Sequence, residues 1–393
     1  MLYPFRNSKY LSTAHGADSM KKLILLILVL SLLLTGLPLS VSAQVTKPAV
    51  DATAVILMEA STGQILYEKN ANAPLPMAST TKIMTCLVVL EHCDPNEVIT
   101  VPTDAVGVEG SSAYLRHGEQ ISIIDLLYCL MLRSANDAAS ALAIHTAGSI
   151  EEFARLMNEK AQKLGMENSH FTNPHGLDHE EHYASAADLA KLTAHALENE
   201  SFCRIVSTKS YLAGSGENQR ALTNHNRLLY SLEGCIGVKT GYTIRSGRCL
   251  VSACKREDTT LICVTINCRA DWQSHKDLYS YGFSKVKRVL YSGFEGTLPV
   301  AGSTLRVPVY AEGYALLTEP ESQVSFSLNC PHFLFAPIDK GERVGQILVV
   351  LNGTTIDTIP IYAEENLVLP PEKGPIARFF SAIISFFQGL FHT

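Results

Sequence analysis

Residues 54–69 read AVILMEASTGQILYEK, and this stretch sets the fold class. Its two runs, Ala54 to Glu59 and Gln64 to Lys69, flank Ser61-Thr62-Gly63, a pattern typical of a β-hairpin. Helical periodicity follows, and strand-like runs return before one more helix. Helices are predicted at 79–92, 122–132, 136–147, 150–164, 186–198 and 272–289, and the later strands at 236–241, 247–255 and 259–267. Strands at both ends with helices between them predict an α+β fold whose antiparallel sheet is closed by its first and last parts.

The pattern of apolar and polar residues changes near residue 292. Short alternating runs fill Gly296 to Leu367, with strands predicted at 305–310, 323–328, 344–351 and 355–361. Asn352-Gly353, between the last two, is a strong hairpin signal. We therefore predict four regions: an extension and signal peptide at 1–43, an N-terminal domain at 44–291, a small all-β sandwich without evident chemistry at 292–368 (the β domain), and a tail at 369–393.

The beginning of the chain has the pattern of an export signal. Met20-Lys21-Lys22 is basic, Leu23 to Leu34 is apolar except for Ser31, and Val41-Ser42-Ala43 supplies small residues for cleavage after Ala43. An uncleaved anchor helix is the alternative, although the apolar run is shorter than the ~20 residues that a bilayer needs. Residues 1–19 fit neither part of a leader, so we expect Met20 to be the true start.

The end of the chain has the pattern of an amphipathic helix. Apolar residues recur at three- and four-residue steps from Ile376 to Phe391, while Arg378, Ser381, Ser385 and Gln388 take the opposite face. The segment is too short to span a bilayer and suits a helix lying in the membrane interface. A helix docked on the protein's own core is the alternative, which the Pro370-Pro371 linker disfavours.

Composition excludes several classes of protein. The chain has 393 residues, 32 basic and 38 acidic side chains, and a net charge of -6, so it lacks the basic stripe that nucleic-acid binding requires. Its ten cysteines are not dense enough for a disulfide scaffold. Four of them, Cys249, Cys254, Cys263 and Cys268, lie in or beside strand-like runs without zinc-site spacing, and we expect small buried side chains there.

Candidate chemistry lies in the N-terminal domain. In Ser79-Thr80-Thr81-Lys82, a three-residue step on a helix places the Lys82 amine near the Ser79 hydroxyl, as activation of a serine nucleophile requires. The same spacing recurs elsewhere by chance, but here it follows Pro74-Leu75-Pro76 and starts a helix, where N–H groups can stabilise an oxyanion. Ser134-Ala135-Asn136 and Lys239-Thr240-Gly241 follow in order, and the ordered triplet is specific.

The sequence resembles the serine penicillin-binding proteins and β-lactamases, and most closely the low-molecular-mass D-alanyl-D-alanine carboxypeptidases of peptidase S11 type. The resemblance covers about residues 50–365 and implies a β-lactamase/transpeptidase-like fold. Further matching segments are Asn173-Pro174-His175-Gly176-Leu177-Asp178, 182–188, Asn224-His225-Asn226-Arg227-Leu228-Leu229, 237–243 and 336–341. Ser246-Gly247-Arg248 departs from the usual Ala-Gly-aromatic and leaves local subsite contacts uncertain.

The resemblance implies a role for each site residue. Ser79 would attack the penultimate D-alanine carbonyl of a peptidoglycan stem peptide ending in D-Ala-D-Ala, with Lys82 as its base. Ser134 and Lys239 would pass the proton to the leaving D-alanine. Asn136 would bind the peptide or hold Lys82. The backbone N–H groups of Ser79 and Tyr242 would form the oxyanion hole, and substrate-binding positions would be Thr240, Gly241, Tyr242 and Arg269, with the terminal carboxylate bound by Lys239, Thr240 and Arg269.

The resemblance also implies which ligands the enzyme binds and where in the cell it acts. β-Lactams would be inhibitors, and no cofactor, metal or nucleic acid would be needed. The enzyme would be exported to the outer face of the cytoplasmic membrane and held there peripherally by its tail.

Alternatives stay open at this point. A β-lactamase would share Ser79, Lys82 and Lys239, but the Glu-x-x-Leu-Asn segment that class A enzymes use for deacylation is not found between Ile150 and Gly176. A non-catalytic wall-binding or β-lactam-sensing protein would not need three intact catalytic elements. The histidines of His179-Glu180-Glu181-His182 are three apart, not the four of a zinc motif, so a solvated loop is expected there.

Overall fold

The predicted hairpin forms one edge of the central sheet in the computed structural model, which describes residues 46–369 and the isolated positions 20, 382 and 383. Strands β1 (Ala52–Glu59) and β2 (Ile65–Lys69) pair antiparallel. The sheet continues through three later strands, in the order β2-β1-β9-β8-β7, and β1 pairs directly with β9. These later strands are β7 (Cys235–Thr243), β8 (Gly247–Arg256) and β9 (Thr259–Cys268). The predicted closure of the sheet by its first and last parts is confirmed.

The sheet lies between two apolar layers. Alternate residues of β1 face opposite sides, so Ala54 and Ile56 pack in a large helical core while Val55 and Leu57 pack in a smaller cluster. The large core is formed by α1 (Lys82–His92), α2 (Ile123–Leu132), α3 (Asn136–Ala147), α4 (Ile150–Lys163), α5 (Ala186–Ala196) and α6 (Glu200–Ser207). The short α7 (Leu228–Ser231) precedes β7. α1 is buried along most of its length, which fixes the start of this helix in the centre of the domain.

The last helix covers the other face of the sheet and ends earlier than predicted. α8 (Asp271–Phe283) places Leu278 and Tyr279 in the smaller cluster. The predicted helix 272–289 is wrong beyond Phe283, because residues 287–291 form strand β10 (Lys287–Tyr291). β10 pairs with a strand of the β domain, and this pairing overrides local helical preference.

Two short ribbons flank the helical layer. β3 (Val98–Thr100) pairs with β4 (Gln120–Ser122), and β5 (Ser210–Ala213) pairs with β6 (Arg220–Thr223). None of these four strands was predicted, because three or four residues are too few to establish an alternating pattern. β6 leads into residues 223–230, which form one wall of the cleft described below.

The β domain is a sandwich of strands, as predicted. A five-stranded sheet has the order β11-β12-β16-β15-β14, and β10 and β13 form a second, two-stranded sheet. The strands are β11 (Phe294–Pro299), β12 (Arg306–Ala311), β13 (Tyr314–Thr318), β14 (Val324–Asn329), β15 (Arg343–Leu351) and β16 (Thr354–Ala363). Val307, Val349 and Ile361 lie at the centre of its core, against which Tyr291 and Leu316 pack.

The four cysteines predicted to be small buried side chains are buried. Most residues of the two ends of the chain lie outside the described ranges. All ten cysteines are unpaired and six are buried, including Cys249, Cys254, Cys263 and Cys268. No helix within the described residues has the length and apolarity needed to cross a membrane. The predicted leader lies outside the described residues apart from Met20, as does the predicted tail helix apart from Ala382 and Ile383, which are helical. The domain boundary at 292 stays a prediction.

Candidate active site

Ser79 lies in a tight turn that leads directly into α1. The turn is a 3₁₀ helix over Ala78–Thr81, and the Thr80 hydroxyl donates to the Met77 carbonyl at 2.7 Å. Ala78 has a φ of 50°, in the left-handed region that non-glycine residues seldom adopt. Ala78 and Thr80 are buried while Ser79 is partly exposed. The local fold therefore presents the serine hydroxyl to the cleft at the start of a buried helix.

The Lys82 amine meets three oxygen atoms at the bottom of this cleft. Its Nζ lies 2.9 Å from Ser79 Oγ, 2.7 Å from Asn136 Oδ1 and 2.6 Å from the His175 carbonyl oxygen. Burial lowers the pKa of Lys82 well below its usual range, the Lys239 amine lowers it further, and Asp137 opposes both. The predicted contact between Lys82 and Ser79 is thus present, with an amine whose neutral form is favoured.

The start of α3 holds Lys82 and a loop of the cleft together. Asn136 accepts from Lys82 through Oδ1, donates through Nδ2 to the Glu109 carbonyl at 2.5 Å, and donates its backbone N–H to the Ser111 carbonyl at 2.7 Å. Asp137, buried beside it, accepts from the Ser112 hydroxyl at 2.6 Å. The same carboxylate accepts the backbone N–H groups of 113 and 115 at 2.9 and 3.0 Å. Sequence reasoning missed Asp137, although its place next to Ser-x-Asn was visible.

Ser134 and the Lys239-Thr240-Gly241 strand complete the predicted elements around the cleft. Ser134 has a φ of 64°, a strained conformation of the kind that clusters at functional sites. Lys239 is buried in β7, where its Nζ donates to the Thr240 carbonyl at 3.0 Å and burial lowers its pKa to about 7. A Cβ placed on Gly241 would lie 3.1 Å from the backbone nitrogen of Ser79. Glycine at this position therefore allows β7 to approach the nucleophile's turn closely.

The loop after α4 packs against the turn that carries Ser79, through Gly176 and His182. Gly176 has a φ of 87°, and a Cβ there would lie 2.0 Å from the Ala78 carbonyl oxygen. The Thr172 N–H donates to His182 Nδ1 at 3.0 Å, so the neutral ring carries its proton on Nε2 and donates to Thr81 Oγ1 at 2.8 Å. Thr81 in turn donates to the Ala78 carbonyl at 2.8 Å.

His182 was expected in a solvated loop, and for this residue the expectation is wrong. Its ring is buried, and burial, with smaller effects of neighbouring histidines and Lys82, lowers its pKa to about 3. The sequence offered no signal for this, because Thr81, which the ring contacts, is 101 residues away along the chain. In the region that the structure describes, no cluster of three or more His, Cys, Asp or Glu side chains is arranged to hold a metal ion.

These elements surround an open cleft of about 630 Å³. Its lining includes the predicted residues Ser79, Ser134, Thr240, Gly241 and Tyr242. Tyr242 is 67% exposed. Further lining residues, not predicted as site residues, are Ser111, Thr223, Asn224, His225, Arg227, Tyr230, Arg248, Cys249, Asp271 and Trp272. Arg269 is exposed in the turn between β9 and α8 and is not among the lining residues. The structure thus brings together every predicted site residue except Arg269.

Comparison with known proteins agrees with this geometry. The sequence profile of the D-alanyl-D-alanine carboxypeptidase family, peptidase S11, matches residues 41–270, which include every predicted site residue. The chain belongs to this family. A second profile, that of the C-terminal domain of penicillin-binding protein 5, matches residues 306–368. The carboxypeptidase profile therefore covers the predicted catalytic elements, and the second profile covers most of the β domain.

Individual carboxypeptidases are similar over most of their length. The chain is 31% identical to D-alanyl-D-alanine carboxypeptidase DacF of Bacillus subtilis over 88% of its own length and 95% of the relative. It is 34% identical to DacC of Escherichia coli, over 88% and 90% of the two chains. The crystal structure of penicillin-binding protein 5 from Haemophilus influenzae superimposes with a TM-score of 0.64 at 27% identity, covering 83% of this chain and all of that one.

The family membership confirms the main prediction from sequence. The chain is a serine-type D-alanyl-D-alanine carboxypeptidase of the penicillin-binding group, and its α+β fold with an all-β C-terminal domain is that of its relatives. The substrate class is the D-alanyl-D-alanine terminus of a peptidoglycan stem peptide, and binding of β-lactams is characteristic of the family.

Proposed function

We propose that Ser79 is the nucleophile of this carboxypeptidase and that Lys82, as a neutral amine, is the base that activates it. The observation that carries the proposal is the set of three oxygens around Lys82 Nζ. The amide oxygen of Asn136 and the carbonyl of His175 can only accept hydrogen bonds, so they take the two protons of a neutral amine. The remaining position faces Ser79 Oγ at 2.9 Å, where the lone pair can receive the hydroxyl proton.

The covalent steps follow from this placement. Ser79 Oγ attacks the carbonyl of the penultimate D-alanine, and the backbone N–H groups of Ser79 and Tyr242 stabilise the oxyanion. The tetrahedral intermediate collapses with release of D-alanine, and the leaving amine takes a proton relayed through Ser134 and Lys239. Water then attacks the acyl group and regenerates Ser79. The close approach of β7 to the nucleophile's turn, where a Cβ on Gly241 would lie 3.1 Å from the Ser79 backbone nitrogen, supports the oxyanion assignment.

Lys239 and Thr240 are proposed to bind the terminal carboxylate of the substrate. Lys239 is buried behind the strand surface with a pKa of about 7, so around neutral pH it can carry a proton or release one. Thr240 lines the cleft beside it. A group that titrates near the working pH suits proton relay as well as carboxylate binding.

The test uses the purified enzyme with a pentapeptide ending in D-Ala-D-Ala and, separately, a fluorescent penicillin. We expect release of D-alanine and a slowly hydrolysed penicillin adduct, both abolished in Ser79→Ala. Ser140→Ala, which alters a buried serine of α3 outside the cleft lining, is the matched control and should keep both signals. Rapid penicillin hydrolysis without D-alanine release would instead indicate a β-lactamase. A stable adduct without D-alanine release would indicate a β-lactam-sensing protein, and neither signal would indicate a wall-binding protein.

We further propose that the enzyme is exported and held at the outer face of the cytoplasmic membrane. The support is the leader pattern that ends at Ala43 and the amphipathic pattern from Ile376 to Phe391. Truncation after Pro371 should move the protein from the membrane fraction to the soluble fraction without loss of activity on small peptides. Retention of the truncated protein in the membrane pellet would contradict the peripheral anchor.

A further inference from the structure

Arg248 occupies a place in the cleft that the sequence did not assign to any function. It lies on β8, directly opposite Tyr242 of β7, and Gly241 pairs with the next residue, Cys249. Cross-strand neighbours are about 5 Å apart, so the Arg248 backbone lies one strand away from the proposed oxyanion hole. Its side chain lines the same cleft as Ser79 and is 43% exposed.

The guanidinium of Arg248 is held from one side only. Its Nε donates to Asp271 Oδ2 at 3.1 Å and its Nη2 donates to Asp271 Oδ1 at 2.9 Å. Asp271 is buried at the first position of α8, where the Trp272 backbone N–H also donates to its Oδ1 at 2.9 Å. The guanidinium carbon lies 5.6 Å from the Trp272 ring centroid. A carboxylate and an aromatic ring therefore fix the direction of the guanidinium at the rim of the cleft.

This arrangement leaves hydrogen-bond donors for a ligand. A guanidinium has five N–H groups, and the bidentate contact with Asp271 uses two. Within residues 46–369, Nη1 of Arg248 donates no hydrogen bond. A second carboxylate can therefore bind to the free Nη1 edge while Asp271 keeps its own contact.

Arg269 has neither the position nor the support of Arg248. It lies outside the cleft lining, and no hydrogen bond or ion pair of its side chain occurs within the described part of the chain. Between two arginines near the same end of the sheet, the structure thus places Arg248 and not Arg269 beside the reacting groups.

We infer that Arg248, positioned by Asp271 and Trp272, binds the terminal carboxylate of the substrate together with Thr240, and that Arg269 does not. The inference rests on the carboxypeptidase function proposed above and names the specificity-determining cation of the same site. Because the Arg248–Asp271 pair has no net charge, the selection depends on the geometry of the N–H fork. Lysine, which lacks this fork, cannot replace arginine here.

The experiment compares two thioester substrates that differ only in the leaving group. One is N-acyl-D-alanyl thioglycolate, whose leaving group carries a carboxylate, and the other is its methyl ester, which does not. The wild-type ratio of the two kcat/KM values measures the contribution of the carboxylate. We expect Arg248→Gln and Arg248→Lys to lower kcat/KM for the carboxylate substrate on the order of 10- to 100-fold, the range of a lost charge-assisted hydrogen bond. The methyl ester should react at the wild-type rate.

Matched variants distinguish the effect of where the arginine lies from the effect of removing a positive charge. Arg269→Gln should keep the wild-type ratio, although it removes the same charge from a neighbouring part of the chain. Asp271→Asn keeps the cation and removes the anionic contact, so we expect an intermediate fall in the ratio, mainly through KM. Unchanged reaction of each variant with the methyl ester is the control for folding.

Two different failures are distinguishable. If Arg248→Gln keeps the wild-type ratio, or if Arg269→Gln loses it, the assignment of Arg248 is wrong while the carboxypeptidase function stands. If the wild-type enzyme acylates with neither thioester and releases no D-alanine from the pentapeptide, the proposed function itself fails and this inference with it.

Discussion

The N-terminal domain and the β domain differ in what they bury. The N-terminal domain encloses ionisable side chains, among them Lys82, Asp137, Asp188 and Lys239, beside the imidazoles of His182 and His275. In the described residues from 292 onward, Thr318 is the only buried polar side chain, and the core consists of residues such as Val307, Val349 and Ile361. Burying an ionisable group costs free energy unless partners compensate. Lys82, Asp137 and Lys239 belong to the proposed site, whereas Asp188 and His275 are bonded within the fold away from the cleft lining.

The partners of the buried groups show how that cost is offset. Lys82 has three oxygen partners, and the Asp137 carboxylate has donors from 112, 113 and 115. The β domain has no comparable network within its described residues and can be stable through apolar packing alone. Four measurements test this contrast.

The largest effect is expected from removal of the proposed base. Lys82→Met leaves Ser79 without a proton acceptor, so acylation by fluorescent penicillin should slow by about 10²- to 10⁴-fold. The exposed Lys340 of the β domain is the matched control, and Lys340→Met should acylate at the wild-type rate. Acylation of Lys82→Met at a rate close to wild type would remove Lys82 from the mechanism.

A pair of glycines compares the two domains directly. Gly176 and Gly341 have similar φ values of 87° and 82°, but a Cβ on Gly176 would meet the Ala78 carbonyl at 2.0 Å and one on Gly341 would meet nothing within 4 Å. Gly176→Ala should cost about 3 kcal/mol or more and slow acylation, because it adds a clash to the backbone strain. Gly341→Ala should cost about 1 kcal/mol from strain alone and leave acylation unchanged. Equal free energies of unfolding for the two variants would show that the close approach at Ala78 is not maintained.

A substitution that creates a cavity in the β domain should lower the stability of the protein without changing the rate of acylation. Ile361→Ala removes a fully buried side chain and should cost about 2–5 kcal/mol. We expect faster hydrogen exchange of the β15 and β16 amides and an unchanged rate of acylation by penicillin. A slower acylation would mean that the β domain contributes to the geometry of the cleft.

The last measurement concerns the acid sensitivity of the N-terminal domain, whose effect per pH unit is the smallest. His182 has a pKa near 3 in the folded protein, below the ordinary value of 6.5, so the unfolded chain binds more protons between these two values. Stability should therefore fall as the pH drops from about 6.5 towards 3, by at most about 1.4 kcal/mol per pH unit for this group. His182→Gln should flatten that slope in urea unfolding, while His332→Gln, at an exposed position of the β domain, should not. Identical slopes for the wild type and His182→Gln would contradict the lowered pKa.

Local sequence patterns were sufficient to predict a contact where the interacting residues are near each other in sequence. The contact of Ser79 with Lys82 follows from a three-residue step, and the hairpins at 54–69 and at Asn352-Gly353 follow from turn residues between alternating runs. The order of the catalytic elements, together with a family resemblance, was enough to assign the enzyme class. No periodicity, however, places Lys239 near Lys82.

Other features depended on contacts that no local pattern contains. β10 was read as the end of a helix because its pairing partner, β13, lies beyond a further hairpin. His182 looked like part of a polar loop because Thr81, which accepts from its ring, is distant in sequence. Arg248 was noticed only as a departure from the family pattern, since the carboxylate that orients it comes from α8.

The first two residues of α3 have a mechanical consequence. Asn136 holds the Lys82 amine and the backbone of 109 and 111, and Asp137 binds 112, 113 and 115. One helix start thus connects residues 109–115 to the proposed base through hydrogen bonds. A ligand that displaced this loop would therefore strain the contacts that hold the amine beside Ser79, so the position of the loop and the position of the base are coupled.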